Sequence, residues 1–196
     1  MSDQSRRSTD GHGHDVIDPL YVGIVTVSSS RAAEAGDGSE PDDPGGDTIQ
    51  ECFAADGHET RERLLVRDDY ASIRSAVRGL VARRDVDVVV TTGGTGVTAD
   101  DVSPEATSAL FERELPGFGE LFRMLSWEEV GTRALASRAT AGIASDTPVF
   151  CLPGSTNACR TACEQLIVPE APHLAGLATK HRANLEDATL SAYDGS

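Results

Sequence analysis

Residues 86–96 read VDVVVTTGGTG, a valine-rich run that leads directly into a glycine-rich turn. The run Val86 to Val90 predicts a buried strand. The preceding residues, 70–84, carry apolar side chains at helical spacing and predict an amphipathic helix, and Glu59 to Val66 predicts a strand before it. A strand, a helix and a strand joined by short connections form a βαβ unit, which indicates a parallel sheet.

The rest of the chain extends this unit into one α/β domain. We predict a three-layer sandwich in which a mainly parallel sheet lies between helices. Residues 19–180 should form the domain, between a disordered acidic, histidine-containing tail at 1–18 and a polar tail at 181–196. Further strands are predicted at Leu20–Val27 and Pro148–Leu152, and an irregular loop at Ala32–Gly46. Helices are predicted at Asp47–Ala55, Ser103–Glu114, Phe118–Ser137 with an interruption near Gly131, Asn157–Leu166 and Ala171–Leu177.

The charge balance excludes several classes of function. Seventeen basic against 32 acidic residues give a net charge of −15, which repels nucleic acid and anionic lipid. Lys180 is the only lysine, and we interpret the acidic, arginine-based composition as an adaptation to high salt; an ordinary acidic cytosolic protein is the alternative. No apolar run suits a signal peptide or a membrane span, so we expect a cytoplasmic protein. The four cysteines form no CxxC pair and should be buried free thiols.

Three loops should meet at one edge of the sheet, because ligands of such sheets bind beyond the carboxyl ends of the strands. These loops are Ser28–Arg31, Thr92–Asp101 and Pro153–Thr156. The second contains Thr92-Gly93-Gly94-Thr95-Gly96, which is neither a Walker A loop nor a dinucleotide fingerprint. Glycines after a strand form either a tight turn or a cradle of N–H groups for phosphate, and both interpretations stay open.

Acidic and polar side chains near these loops add candidate functions. Asp100 and Asp101 are candidate ligands of Mg²⁺ beside a bound phosphate, although a solvated turn would have the same sequence. Ser137 and Arg138 offer a hydroxyl and a guanidinium for phosphate or a pterin edge. Glu120 lies at an apparent corner between two helices.

Taken in order, these motifs resemble the molybdenum cofactor biosynthesis protein B family and are similar to molybdopterin adenylyltransferases and to the corresponding domain of gephyrin-like proteins. The resemblance covers about residues 20–177 and is specific as a set. The residues that carry it are Val27-Ser28-Ser29-Ser30-Arg31, Thr92-Gly93-Gly94-Thr95-Gly96, Asp101-Val102-Ser103-Pro104-Glu105-Ala106, Pro116-Gly117-Phe118-Gly119-Glu120, Ser137-Arg138-Ala139 and Leu152-Pro153-Gly154-Ser155.

The resemblance implies a homotrimer or homohexamer that binds molybdopterin and, in many members, transfers AMP from Mg-ATP to the molybdopterin phosphate. A separate protein then inserts molybdenum or tungsten. By motif, the two acids important for transfer correspond to Asp68 and Asp101. The expected substrate-binding residues are Ser28, Thr92, Gly93, Gly94, Thr95, Gly96, Glu120, Ser137, Arg138, Pro153, Gly154, Ser155 and Thr156. A non-catalytic molybdopterin carrier of the same pathway is the alternative. The sequence departs from the family at Gly45, where relatives often have serine.

Overall fold

A computed structural model describes residues 6–9, 15–36 and 41–179 of the chain. Its main sheet has six strands in the order β4-β3-β5-β8-β7-β6. These strands are β3 (Tyr21–Val27), β4 (Glu59–Val66), β5 (Val88–Thr92), β6 (Arg113–Glu114), β7 (Thr140–Ala144) and β8 (Thr147–Leu152). The strands β4, β3, β5 and β8 are parallel, whereas β7 pairs antiparallel with both of its neighbours, β8 and β6. The prediction of a mainly parallel sheet is therefore confirmed.

Helices cover both faces of the sheet. They are α1 (Ser29–Gly36), α2 (Pro44–Ala55), α3 (Tyr70–Val81), α4 (Ser103–Ser108), α5 (Pro116–Val130) and α6 (Thr156–Ala162). A 3₁₀ helix (Gly131–Ala136) follows α5, and a π-helical turn (Cys163–Ile167) leads from α6 into α7, residues 168–179. None of the helices in the described part of the chain is long and apolar enough to cross a membrane.

The central strand β5 shows how two cores form from one run of valines. Val88 and Val90 pack into a core with α2, α5 and α6, whereas Val89 packs into a second core with α3 and α4. Successive side chains of a strand point to opposite faces, so an uninterrupted apolar strand needs cover on both sides. The three layers therefore follow from the composition of this strand.

Several predicted boundaries were wrong for identifiable reasons. The helix expected from Asp47 begins at Pro44, because the Asp43 side chain caps it by accepting a bond from the Gly46 N–H at 3.1 Å. The helix expected over Ser103–Glu114 ends at Ser108, and Arg113–Glu114 pairs with β7 instead. The helix expected from Phe118 begins at Pro116, which occupies the first turn of α5.

Four further elements were not predicted at all. Residues 29–36, placed partly in an irregular loop, form α1. The strand β7, Thr140–Ala144, was missed because its short, small side chains lack a distinct period. Within the predicted N-terminal tail, β1 (Arg7–Thr9) and β2 (Asp15–Ile17) form an antiparallel pair. Residues 1–5 and 10–14 of that tail, and the predicted tail at 181–196, lie outside the described residues.

The β1–β2 pair is fixed to the domain by a buried ion pair. Arg6 Nη1 lies 2.5 Å from Asp87 Oδ2 and also donates to the Pro19 carbonyl at 2.9 Å. Asp87 additionally accepts from the Tyr21 N–H at 2.8 Å, at the start of β3. This network lies at the amino ends of β3 and β5, opposite the edge where ligands bind.

A buried histidine lies at the same end of the sheet. His58 is 5% exposed, and its Nδ1 accepts a hydrogen bond from the Leu20 N–H at 3.2 Å. Burial lowers the pKa of His58 below its ordinary value of 6.5, against the opposing charges of Asp18, Asp56 and Asp87. The accepted bond at Nδ1 also requires that nitrogen to be unprotonated.

This histidine predicts a loss of stability in mild acid. Between the lowered folded-state pKa and the unfolded value of 6.5, the unfolded chain binds a proton that the folded chain does not. The free energy of unfolding should therefore decrease as the pH falls below 6.5. In His58→Asn the decrease should be shallower, by at most about 1.4 kcal/mol per pH unit. Urea unfolding at several pH values measures it, and equal slopes in both proteins would contradict the assignment.

Candidate functional site

A cavity of about 400 Å³ lies beyond the carboxyl ends of β5 and β8. One wall is the glycine loop, Gly93–Gly96, and a second is Pro153–Ser155. The last turn of α5 and the 3₁₀ helix close the remaining side. Two larger depressions, of about 710 and 550 Å³, lie over β4 and α3 and beside the start of α5, and neither contains the glycine loop. The cavity at the strand ends therefore combines the expected position with the expected loops.

Close packing explains why glycines form the first wall. Gly94 has φ +61°, and a methyl group there would lie 2.4 Å from Ser103 Oγ and 2.6 Å from Asp68 Oδ1. At Gly96 a methyl group would lie 2.6 Å from Asp101 Oδ2. The missing side chains let the backbone pass close to the carboxyl groups of Asp68 and Asp101.

Two bonds hold the glycine loop against the neighbouring wall. The Gly93 N–H donates to the Leu152 carbonyl at 3.0 Å, and Thr92 Oγ1 donates to the Pro153 carbonyl at 3.0 Å. Thr92 is buried, and its hydroxyl also contacts Cys159 Sγ at 3.1 Å. Ser155 caps α6 by accepting a bond from the Ala158 N–H at 3.3 Å. The two loops therefore form one continuous surface.

The two acids singled out by the motif have opposite environments. Asp101 lines the cavity, and its Oδ2 accepts bonds from the Thr98 hydroxyl at 2.5 Å and the Thr98 N–H at 3.0 Å. These bonds lower the pKa of the Asp101 carboxyl. Asp68 lies behind Gly94, where burial raises the pKa of its carboxyl and the charges of Asp101 and Asp100 raise it further. Carboxyl groups whose pKa values are pushed apart in this way are typical of functional sites.

The two acids suit a cation whose coordination is completed by a substrate. Asp68 Oδ1 is buried and lacks a hydrogen-bond partner among the described residues. No group of three or more His, Cys, Asp or Glu side chains in the described part of the chain is arranged to hold a metal by itself. Mg²⁺ commonly binds through one or two carboxylates together with substrate phosphates and water, so these residues fit that ion in the presence of a phosphate ligand.

Arg138 braces the glycine loop from outside the cavity. Its Nε donates to the Gly96 carbonyl at 2.8 Å, and its Nη2 donates to the Asp101 carbonyl at 2.6 Å. Its Nη1 forms an ion pair with Glu105. Three bonds in a fixed planar group hold the loop and the start of α4 in one geometry.

The cavity and its sheet correspond to known proteins. A family model described as a probable molybdopterin binding domain matches residues 23–173. Molybdenum cofactor biosynthesis protein B of Escherichia coli strain K12 is 45% identical over 152 residues, which cover 78% of this chain and 85% of that protein. The chain belongs to the molybdenum cofactor biosynthesis protein B family.

Solved structures of this family have the same fold. A crystal structure of a molybdenum cofactor biosynthesis protein B superposes with a TM-score of 0.77 at 40% identity, covering 83% of this chain and 98% of that one. The tungsten cofactor synthesizing protein MoaB from Pyrococcus furiosus superposes with a TM-score of 0.71 at 38% identity, covering 82% and 98%. The resemblance inferred from the motifs is therefore confirmed.

The protein B domain places only part of the predicted site at the cavity. The predicted residues that line it are Gly93, Gly94, Thr95, Gly96, Asp101, Ser137, Pro153, Gly154 and Ser155. Thr92 and Arg138 support the loop from behind. Ser28 contacts the Ser30 hydroxyl at 3.3 Å at the start of α1. Glu120, Thr156 and Asp100 are exposed and do not line the cavity.

Several residues of the protein B cavity were missed by sequence reasoning. They lie on α5, on the 3₁₀ helix and on α6, and the polar ones are Ser126, Glu129, Arg133 and Asn157. Arg133 follows the bend at Gly131, where φ is +61°. No local pattern indicates that a helix approaches the strand ends from another part of the chain, although the sequence predicted the interruption near Gly131.

The glycine loop yields a test of the site's construction. Gly94→Ala should lower the free energy of unfolding by about 2 kcal/mol, because a methyl group at positive φ is strained and would contact Ser103 and Asp68. Gly79→Ala is the matched control, since Gly79 lies in α3 with nothing within 4 Å of the added methyl group. It should be stabilised by about 0.5–1 kcal/mol. Urea denaturation measures both, and equal effects would contradict the packing around Gly94.

Proposed function

We propose that this chain is a cytoplasmic molybdopterin adenylyltransferase, which binds molybdopterin and transfers AMP from Mg-ATP to its phosphate. The observation that carries the proposal is the pairing of the glycine loop with Asp101 in one cavity at the strand ends, in a domain of the protein B family. Backbone N–H groups from a glycine loop favour phosphate, and a carboxylate beside them favours a phosphate-bound cation.

The proposed reaction needs positioning more than covalent chemistry. An oxygen of the molybdopterin phosphate attacks the α-phosphorus of ATP, the new P–O bond forms, and the bond to the bridging oxygen breaks to release pyrophosphate. Both sides of this reaction carry the same charge, so no proton has to be supplied. Holding the two anions in line and offsetting their repulsion accounts for most of the acceleration in such transfers.

Each part of the cavity has a role in this scheme. The backbone N–H groups of Gly93–Gly96 and the Thr95 hydroxyl would hold phosphate oxygens. Ser137 and Ser155 would contact the pterin or its phosphate. Asp101, with Asp68 behind it, would hold Mg²⁺, which offsets the negative charge of the phosphates when bound. Asp100 is a weaker candidate for this role than the sequence indicated, because its side chain is exposed and lies outside the cavity lining.

Replacing Asp101 tests the transferase directly. Asp101→Asn should lower the rate of AMP transfer by about 100-fold or more, because an isosteric amide removes the charge that holds the cation. The assay follows adenylylated molybdopterin and pyrophosphate made by the purified chain in high-salt buffer with Mg-ATP.

Asp85→Asn is the control, since Asp85 lies on the surface at the opposite edge of the sheet and pairs with Arg83. Full activity in Asp101→Asn would show that the Asp101 carboxylate is not needed for the transfer. Tight molybdopterin binding by the unaltered chain, without transfer at any salt concentration, would identify a carrier instead.

We also propose that the chain forms a homo-oligomer through α5, a trimer or a hexamer. The outer face of α5 and the 3₁₀ helix exposes apolar side chains, whereas its other faces contact the core and the cavity. The exposed fractions are 51% for Leu121, 67% for Met124, 59% for Trp127 and 91% for Leu135. Several large apolar side chains exposed on one segment of an acidic protein are typical of a surface that is covered by another subunit.

A charge placed in this stripe should dissociate the oligomer. Trp127→Glu puts a carboxylate where an interface would have to desolvate it, so the sedimenting mass should shift from the oligomer to the 20.6 kDa monomer. Tyr70→Glu is the control, because Tyr70 is a similarly exposed aromatic residue, 44%, at the start of α3. Sedimentation velocity distinguishes monomer, trimer and hexamer, and an unchanged mass in Trp127→Glu would place the interface elsewhere.

A further inference from the structure

The cavity contains one cationic side chain that the motif does not include. Arg133, on the 3₁₀ helix, is the only Lys, Arg or His among the described residues that line the cavity. Two acids, Asp101 and Glu129, line the same cavity. The formal charge of the lining is therefore negative without Arg133 and only weakly negative with it, which makes this one guanidinium decisive for an anionic ligand.

Arg133 would ordinarily pair with Glu129. The two residues are spaced i and i+4, with the acid on the N-terminal side, which is the favourable arrangement for an ion pair along a helix. The structure does not form that pair. The Glu129 carboxylate instead accepts from Thr161 Oγ1 at 2.7 Å and from the Asn157 side-chain amide, so both of its oxygens are bound to α6.

The backbone contributes to this separation. The helix α5 ends at Val130, and Gly131, the first residue of the 3₁₀ helix, turns the chain with φ +61° and ψ −134°. Arg133 is exposed at the cavity, and no carboxylate within residues 6–9, 15–36 and 41–179 forms an ion pair with it. The guanidinium of Arg138, five residues later, is bound to the loop and to Glu105, so it is not available to a ligand in the cavity.

We propose that Arg133 binds a phosphate group of the ligand in this cavity. Its planar guanidinium presents paired N–H donors that match two oxygens of one phosphate, which complements the N–H groups of the glycine loop on the other wall. The phosphate belongs to one of the two anions of the proposed function, on which this inference rests: the triphosphate of the nucleotide or the monoester of the pterin. Arg133 is thus a binding residue that touches substrate, and Glu129 keeps it available by bonding elsewhere.

Binding measurements test the role without relying on turnover. Isothermal titration of the purified chain with magnesium pyrophosphate represents the nucleotide, and titration with molybdopterin represents the pterin. Arg133→Gln should weaken binding of at least one of them by about 10- to 100-fold, as expected when a charge-assisted pair of hydrogen bonds is lost. Arg133→Lys keeps the charge but loses the paired donors, so it should restore only part of the affinity.

Arg84→Gln is the matched control. Arg84 is exposed in the turn before β5, at the opposite edge of the sheet, and the substitution changes the net charge equally. Its affinities should equal those of the unaltered chain, which also shows that the effect of Arg133→Gln is local rather than a change in the overall field. Far-ultraviolet circular dichroism confirms that each variant is folded.

The outcomes separate this inference from the proposed function. Weaker pyrophosphate binding alone assigns Arg133 to the nucleotide, and weaker molybdopterin binding alone assigns it to the pterin; both support the proposal. Such a loss together with no AMP transfer by the unaltered chain would refute the transferase while keeping the phosphate site. Normal affinities in Arg133→Gln, or no binding of either ligand by the unaltered chain, would overturn the role of Arg133.

Discussion

The parallel pairing of β5 with β3 and β8 is the constraint on which the site depends. Because β5 lies between these strands in parallel register, the loops that follow β5 and β8 leave the sheet at the same edge. The bonds from Thr92 and Gly93 to Pro153 and Leu152 then fix the two loops against each other. A run of valines buried on both faces thus determines where the glycine loop can lie, and the ligand cavity follows from the topology of the sheet.

The acidic composition makes the distribution of arginine important. A chain with a net charge of −15 that binds phosphate ligands must concentrate donors locally, and it uses two arginines in different ways. Arg138 donates to backbone carbonyls and so fixes the shape of the loop. Arg133 stays at the cavity because its natural partner, Glu129, is bound to α6. Side-chain hydrogen bonds, more than net charge, determine which cation is available to a ligand.

Local patterns predicted the fold and about half of the residues that line the cavity. Valine-rich strands, the helical spacing of α3 and the glycine loop are each encoded in consecutive residues, and so they were recognised. Two predicted site residues lie outside the cavity lining because of their tertiary contacts: Arg138 pairs with Glu105, and Thr92 donates to the Pro153 carbonyl. Arg133 and Glu129 come from a helix distant in sequence, and no local spacing connects them to the glycine loop.

The helix α5 explains why these distant residues reach the cavity. Phe118 and Phe122 anchor it in the core, where Phe118 packs edge-on against Phe150 of β8 with ring centroids 5.2 Å apart. Ser126 and Glu129, one and two turns after Phe122, come to face the cavity. The core contact with β8 therefore sets both the depth and the rotation of α5. Because Glu129 lies on α5, its position depends on packing against β8, and the loop after β8 forms the opposite wall of the cavity.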